Sequence, residues 1–180
     1  MKEFIFRILI ALLIVMPLTG FRAPYAAQRP WKVENYISKY KYLAVELNQK
    51  TGIPVPIILA VAGLESDWGT SELALYSNNH FGIKAVDWIG PNFCKYTYEF
   101  ENGDWIQIMD CFRKYTLIRD SYFDFGNFLQ TRSNYFYLFR IPADNLEAWA
   151  HGMWYCNYAT DPQYGDKLLR VIGEYELEGV

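Results

Sequence analysis

Apolar side chains recur every three to four positions along most of this chain, with one interruption around an Asn-Gly pair, and that period predicts helices. Val33, Tyr36, Ile37, Tyr40, Leu43, Ala44 and Leu47 share one face of a helix over 33–50, which Gly52 and Pro54 bring to an end. Pro56 suits a first helical turn, and 57–66 is apolar on nearly every side, so a helix there should be buried all round. Ser71 can cap a short helix running to Tyr76, and further helices are expected over 121–132 and 145–155. The last, over 162–177, has Asp161 as its N-cap, Pro162 at its first position and Leu168, Leu169, Ile172 and Tyr175 turned inward. The interruption spans 93–111, where Asn102-Gly103 is the preferred two-residue type I′ turn of a β-hairpin. The expected fold is mainly α (α+β): one α-rich domain over 31–178 with a small β insertion.

The hairpin register has a chemical consequence. With Glu101 opposite Asp104 and Phe100 opposite Trp105, Cys94 falls opposite Cys111 at a non-hydrogen-bonded site, where Cα atoms approach closely enough for a disulfide. The pair is either that bridge or two half-buried thiols, and Cys156, the third cysteine, reads as a packed thiol. Ahead of the domain, Lys2 and Arg7 precede an apolar run from Ile8 to Leu18, followed by Ala23, Ala26 and Ala27, so residues 1–27 read as an export signal. The run is well short of the length that crosses a bilayer, so an uncleaved anchor is the weaker reading. Export to a bacterial periplasm, cell envelope or the exterior is the expectation, with no stable membrane span after processing. A net charge of -3 without a basic patch argues against nucleic acid as a partner. The only histidines are His80 and His151, and the cysteines lack metal-type spacing, so neither a metal nor another cofactor is expected. Aromatic residues make up 18% of the chain, more than a small core requires, so some rings should line a groove.

Glu65 is the most informative position. It closes the buried helix, and Val61, Ala62, Trp68 and Gly69 occupy the neighbouring places from which a helical cation would reach it. A carboxyl so placed is poorly hydrated, keeps its proton near neutrality and suits a general acid, unless it simply turns to water at the helix end.

Four strings widen the picture: Leu64-Glu65-Ser66-Asp67-Trp68-Gly69, Asn78-Asn79-His80-Phe81-Gly82-Ile83-Lys84, Cys111-Phe112-Arg113-Lys114-Tyr115 and Tyr158-Ala159-Thr160-Asp161-Pro162-Gln163-Tyr164. In order and spacing, from about Trp31 to Glu178, the chain resembles the bacterial endo-β-N-acetylglucosaminidases of glycoside hydrolase family 73, which include flagellar muramidase-like hydrolases and autolysins. The resemblance implies a lysozyme-like helical lobe with a small β-hairpin lobe, and cleavage of β-1,4 bonds after N-acetylglucosamine in peptidoglycan glycan strands by a monomer. It implies Glu65 as the acid. Glu99, in Thr97-Tyr98-Glu99-Phe100-Glu101-Asn102-Gly103, matches the second carboxylate, although Glu101 shares its strand face and stays an alternative. Tyr158 matches a groove tyrosine that offers a flat ring and a hydroxyl to substrate or acid. Asn79 and Phe81 match a turn lining the cleft, with Gly82 serving the turn and Trp68 packing beneath the acid. The chain departs from the family pattern at Asp67, where a small residue is usual, at Asn157, where glycine is common, and at Phe125, where histidine is common. Two other activities fit part of the pattern: a lytic transglycosylase, for which one acid suffices, and a glycan-binding module without turnover.

Overall fold

The computed structural model describes residues 29–180, so the expected export signal lies outside the described residues. Helix α1 (Trp31–Thr51) and helix α2 (Val55–Ser66) are joined by a tight connection in which Gly52 takes a left-handed φ of 78°. A short α3 (Glu72–Ser77) follows, then strands β1 (Asn92–Glu101) and β2 (Asp104–Arg113), and helices α4 (Ile118–Thr131), α5 (Leu146–Tyr155) and α6 (Tyr164–Glu174). Single 3₁₀ turns lie at Ser133–Tyr135, Leu138–Arg140 and Leu177–Gly179. Among the described residues no helix is long and apolar enough to cross a membrane.

The all-round apolar surface of α2 organises the helical lobe. Ile57, Ile58, Leu59, Ala60, Val61 and Ala62 are fully buried, and α1, α5 and α6 pack around them. Such a helix is stable only when neighbours cover every face. It stops in a sharp reversal in which Asp67, Trp68 and Gly69 all have positive φ. Trp68 N–H donates to Gly63 O (2.8 Å), and Gly69 N–H donates to Ser66 Oγ (2.8 Å). The reversal lays the Trp68 indole back on Gly63, where a Cβ would come within 2.7 Å of the ring. Trp68 therefore packs against α2, with Tyr36 and Tyr175 edge-on beside it. Asp67 pairs with Lys32 (2.6 Å) on the outer surface.

The β-lobe is a single two-stranded antiparallel sheet in the anticipated register, with Glu101 opposite Asp104 and Cys94 opposite Cys111. Asn102 (φ 53°) and Gly103 (φ 91°) give the two positive φ values of a type I′ turn. Cys94 and Cys111 form a disulfide across a Cα separation of 4.0 Å, while Cys156 is a buried free thiol. At its open end the hairpin is tied to the helical lobe by backbone bonds from Ala85 N to Cys111 O (2.8 Å) and from Arg113 N to Ile83 O (2.9 Å). Below them, Arg113 Nη1 donates to both Asp124 carboxylate oxygens (2.9 and 2.7 Å), and Tyr115 OH adds a bond of 2.6 Å to the same group. Phe125, at the place where histidine is common, is fully buried and stacks on Phe81 at 4.3 Å between ring centres.

Three expected boundaries in α4 and α6 are displaced: α4 begins at Ile118 rather than at 121, α6 ends at Glu174 rather than at 177, and the start of α6 differs as well. Asp161 does not cap α6 and Pro162 does not open it: the helix begins two residues later, at Tyr164. The Asp161 carboxylate accepts from Gln163 N–H (2.9 Å) and from the Lys167 ammonium, which closes a turn over 161–164 before the helix starts. Asn157, by contrast, takes the left-handed backbone (φ 60°) that asparagine tolerates.

Replacing Cys94 and Cys111 together with serine should loosen the hairpin before it touches the helical lobe. The bridge closes a segment with a sequence separation of 17, for which the chain-entropy argument gives about 3 kcal/mol. Hydrogen exchange should show hairpin amides losing protection while α2 amides keep theirs; equal loss in both would contradict a separately anchored lobe.

Candidate active site

Between the two lobes runs a cleft of about 550 Å³. Its floor is the end of α2, one wall is the hairpin with the 81–84 turn, and the other is the segment from Asn157 into α6. Glu65, Glu99, Phe81, Tyr158, Thr160 and Tyr164 all border it.

The position of Glu65 follows from where α2 stops. The reversal at 67–69 ends the helix just after it, so its side chain leaves the last turn toward the cleft while the rest of α2 stays in the core. Tyr164, buried at the start of α6, donates from its hydroxyl to Glu65 Oε1 (2.7 Å). Gly82 closes over the other oxygen: a Cβ at that position would lie 2.9 Å from Glu65 Oε2, and its φ of +65° is itself costly for an L side chain. The backbone favours glycine here, and a Cβ would push the Glu65 carboxyl out of its place. Part-buried with one side open to the cleft, Glu65 loses most of its hydration, and this raises its pKa from 4.5 to about 7. The Tyr164 bond and the Lys167 charge pull the other way, and the Glu99 charge adds to the rise. At neutral pH a large fraction of Glu65 therefore carries a proton into the cleft.

Glu99 sits opposite, near the turn end of β1, with 14% of its side chain exposed. Its Oε1 meets Lys84 Nζ (2.8 Å), and Lys84 also holds Asp110 (2.8 Å). Its Oε2 accepts from Thr160 Oγ1 (2.9 Å), and Thr160 Oγ1 in turn accepts from Phe100 N–H (3.0 Å). Burial opposes the charge on Lys84, but Asp110 and Glu99 outweigh it and raise the Lys84 pKa. Each carboxylate oxygen can accept more than one hydrogen bond, so Glu99 retains capacity toward the cleft. Glu101 is exposed beside the turn and forms no part of the cleft wall. Two strand residues that share a face are thus separated by where the loop carrying Thr160 meets the hairpin.

The remaining expected site residues divide. Tyr158 lines the cleft, but its hydroxyl donates to Phe81 O (2.6 Å), so it is the ring that the groove sees, 6.0 Å from the Tyr164 ring. Burial, and next the Glu65 charge, push both hydroxyls well above the ordinary tyrosine range and keep them donors. Asn79 does not reach the cleft. It is fully buried, its amide donates to Ile83 O (3.0 Å) and Arg113 O (2.9 Å), and its oxygen accepts from Phe81 N (3.3 Å) and Ile83 N (3.2 Å). Every bonding position is spent, three on the 79–83 turn and one on Arg113 of β2, so Asn79 shapes the turn that carries Gly82 and ties it to the hairpin. Phe81 borders the cleft, but its ring is buried against Phe125 and Tyr122. Tyr164, Lys84 and Thr160 were not singled out from the sequence, although all three lie inside the quoted strings. Their polar contacts span 99, 15 and 61 residues, respectively, and no local pattern encodes them. No group of three or more His, Cys, Asp or Glu side chains among the described residues could hold a metal ion.

A carboxyl held partly protonated on the floor of the cleft, a carboxylate on the facing lobe and aromatic rings along the wall suit acid-assisted cleavage of a glycan. Comparison with known proteins agrees. The glucosaminidase family, described as mannosyl-glycoprotein endo-beta-N-acetylglucosaminidase, matches residues 41–177. The peptidoglycan hydrolase FlgJ of Vibrio cholerae is 33% identical over 166 residues, which cover 90% of this chain and 49% of that protein. The exo-glucosaminidase LytG of Bacillus subtilis is 34% identical over 135 residues, 73% of this chain and 48% of that protein. The chain thus spans about half the length of these curated relatives. Among solved structures, the catalytic domain of the autolysin Auto from Listeria monocytogenes superposes with a TM-score of 0.69 at 30% identity, covering 85% of this chain and 89% of that one. A mutant peptidoglycan hydrolase from Sphingomonas sp. A1 gives 0.71 at 27% identity, over 81% and 96%. By the span of the family match and the likeness of fold, this chain belongs to the glucosaminidase family of glycoside hydrolases.

Proposed function

We propose that this chain hydrolyses the β-1,4 glycosidic bond after N-acetylglucosamine in peptidoglycan, with residues 31–178 as the catalytic domain, Glu65 as general acid and Glu99 as the second carboxylate. The observation that carries the reading is the state of Glu65: a carboxyl with a pKa of about 7, positioned by Tyr164 and facing Glu99 across the cleft. Glu65 gives its proton to the glycosidic oxygen as the bond breaks, and Glu99 activates water or stabilises the positive charge developing at the sugar carbon. Lys84 and Thr160 fix the Glu99 carboxylate, and the Tyr158 ring offers an apolar face to a sugar. The protein works as a monomer without a cofactor, and residues 1–27 direct export to the cell envelope or beyond. The Cys94–Cys111 bridge suits an oxidising compartment.

Glu65→Gln should lower turnover of purified peptidoglycan by at least about 100-fold, because a general acid contributes on the order of 10²–10⁴. Reducing N-acetylglucosamine ends among the wild-type products, identified by mass, support hydrolysis; anhydro-muramic ends would point to a lytic transglycosylase, and an absence of products to a binding module. Glu99→Gln should also reduce hydrolysis by more than tenfold, and undiminished activity would again favour the transglycosylase.

The same carboxyl links stability to pH. Its folded pKa lies above its unfolded value of 4.5, so the stabilisation from holding the proton is complete below 4.5 and disappears as pH rises through about 7. Above that range the folded state carries a penalty of up to about 3 kcal/mol. Glu65→Gln should therefore melt at a higher temperature than wild type at pH 8 and show little gain at pH 4; an equal shift at both would contradict the assignment.

Tyr164→Phe removes a bond that lowers the Glu65 pKa. The alkaline limb of the rate profile should move to higher pH while kcat falls through poorer positioning. A limb moving to lower pH would overturn the role given to Tyr164.

A further inference from the structure

Among the described residues three cationic side chains line the cleft: Lys84, Lys167 and Arg132. Two are already neutralised, Lys84 by Glu99 and Asp110 and Lys167 by Asp161. Arg132 is different. Among the described residues it has no salt-bridge partner, and its guanidinium makes no hydrogen bond. It is nevertheless not a loose surface side chain. It follows α4 directly, is half-buried, and its guanidinium lies over the Phe128 ring at 4.3 Å from the centroid. That stacking holds the planar fork in place while leaving its N–H groups free to bind.

The aromatic wall connects this cation to the reacting centre. Phe128 meets the edge of Tyr158 at 6.4 Å, Tyr158 lies 6.0 Å from Tyr164, and Tyr164 bonds Glu65. A glycan lying along these rings from Glu65 would run toward Arg132. Asn134, two residues on, also lines the cleft; its amide nitrogen donates to Cys156 O (2.7 Å), and its side-chain oxygen can still accept. A chain with this arrangement has, at one end of its groove, a fixed fork of donors matched to a carboxylate and a neighbouring acceptor for an amide N–H.

We propose that Arg132 forms a carboxylate-binding site at the end of the cleft, which engages the acidic groups that peptidoglycan carries and chitin-like glycans lack. This rests on the peptidoglycan reading above and deepens it by naming the feature of the substrate that is selected. The carboxylate comes from the stem peptide or, on a strand stripped of peptides, from the lactyl group of the muramic sugar.

Binding can be measured without turnover by titration calorimetry in the Glu65→Gln protein, with and without Arg132→Gln. Three ligands separate the sources: peptide-bearing glycan strands, strands freed of peptide by an amidase, and neutral β-1,4 N-acetylglucosamine oligomers. Arg132→Gln should lower the ratio of charged-strand to neutral-oligomer affinity about tenfold, and Arg132→Lys, which keeps the charge but loses the planar fork, should restore part of it. A ratio reduced only for peptide-bearing strands assigns the stem peptide, and one reduced for stripped strands assigns the lactyl carboxylate. An unchanged ratio, or equal loss on all three ligands with no rescue by lysine, overturns the carboxylate site. Failure of the underlying reading looks different: the Glu65→Gln protein with Arg132 intact would then bind none of the three, whatever stands at 132.

Discussion

A helix that is apolar on every side and ends in a carboxyl imposes the central constraint on this molecule. The core half of α2 gains its stability from complete coverage by α1, α5 and α6. Coverage to that extent leaves no water for the group at its end. The fold resolves the conflict by stopping α2 in a left-handed reversal and opening the cleft beside Glu65, so that one side of the carboxyl faces solvent and substrate while Tyr164 and Gly82 occupy the others. The raised pKa is a consequence of how the helical lobe packs.

The cleft is built from unequal halves. The helical wall rests on the main core, whereas the hairpin has only one partner strand and would be marginal alone. Its restraints are concentrated at the two ends: the Ile83–Ala85 backbone bonds and the Arg113–Asp124 pair at the base, and Thr160 across the cleft toward the tip. The disulfide pins its register between them. Glu99 is thus placed by contacts from both lobes, and any motion of the hairpin moves it relative to Glu65.

Much of the fold was legible because its cues are local. Helical spacing, proline and glycine stops and the Ser71 cap, whose hydroxyl accepts from Ala74 N–H at 3.2 Å, are encoded within a few residues of the elements they define. The hairpin register followed from a two-residue turn, since a turn type fixes the pairing of every residue that follows. The start of α6 was misjudged for the complementary reason. A preference for Asp as a cap competes with any other partner for its carboxylate, and here Lys167 and the Gln163 amide take it. Asn79 shows the same limit: its residue type fits either substrate binding or turn-making, and only its burial distinguishes them.

By itself the sequence determined the helical lobe, the hairpin register that sets Cys94 opposite Cys111 and the presence of a carboxyl without a local cation, because period, turn chemistry and helical neighbours act over short separations. The tertiary structure alone decided which strand carboxylate faces Glu65, that Tyr164 bonds to the Glu65 carboxyl, that Gly82 closes over it and that Arg132 has no salt-bridge partner among the described residues. Each of these depends on groups far apart in the chain meeting across the cleft, and the strength of an electrostatic interaction is set by the distance and burial that the complete fold creates.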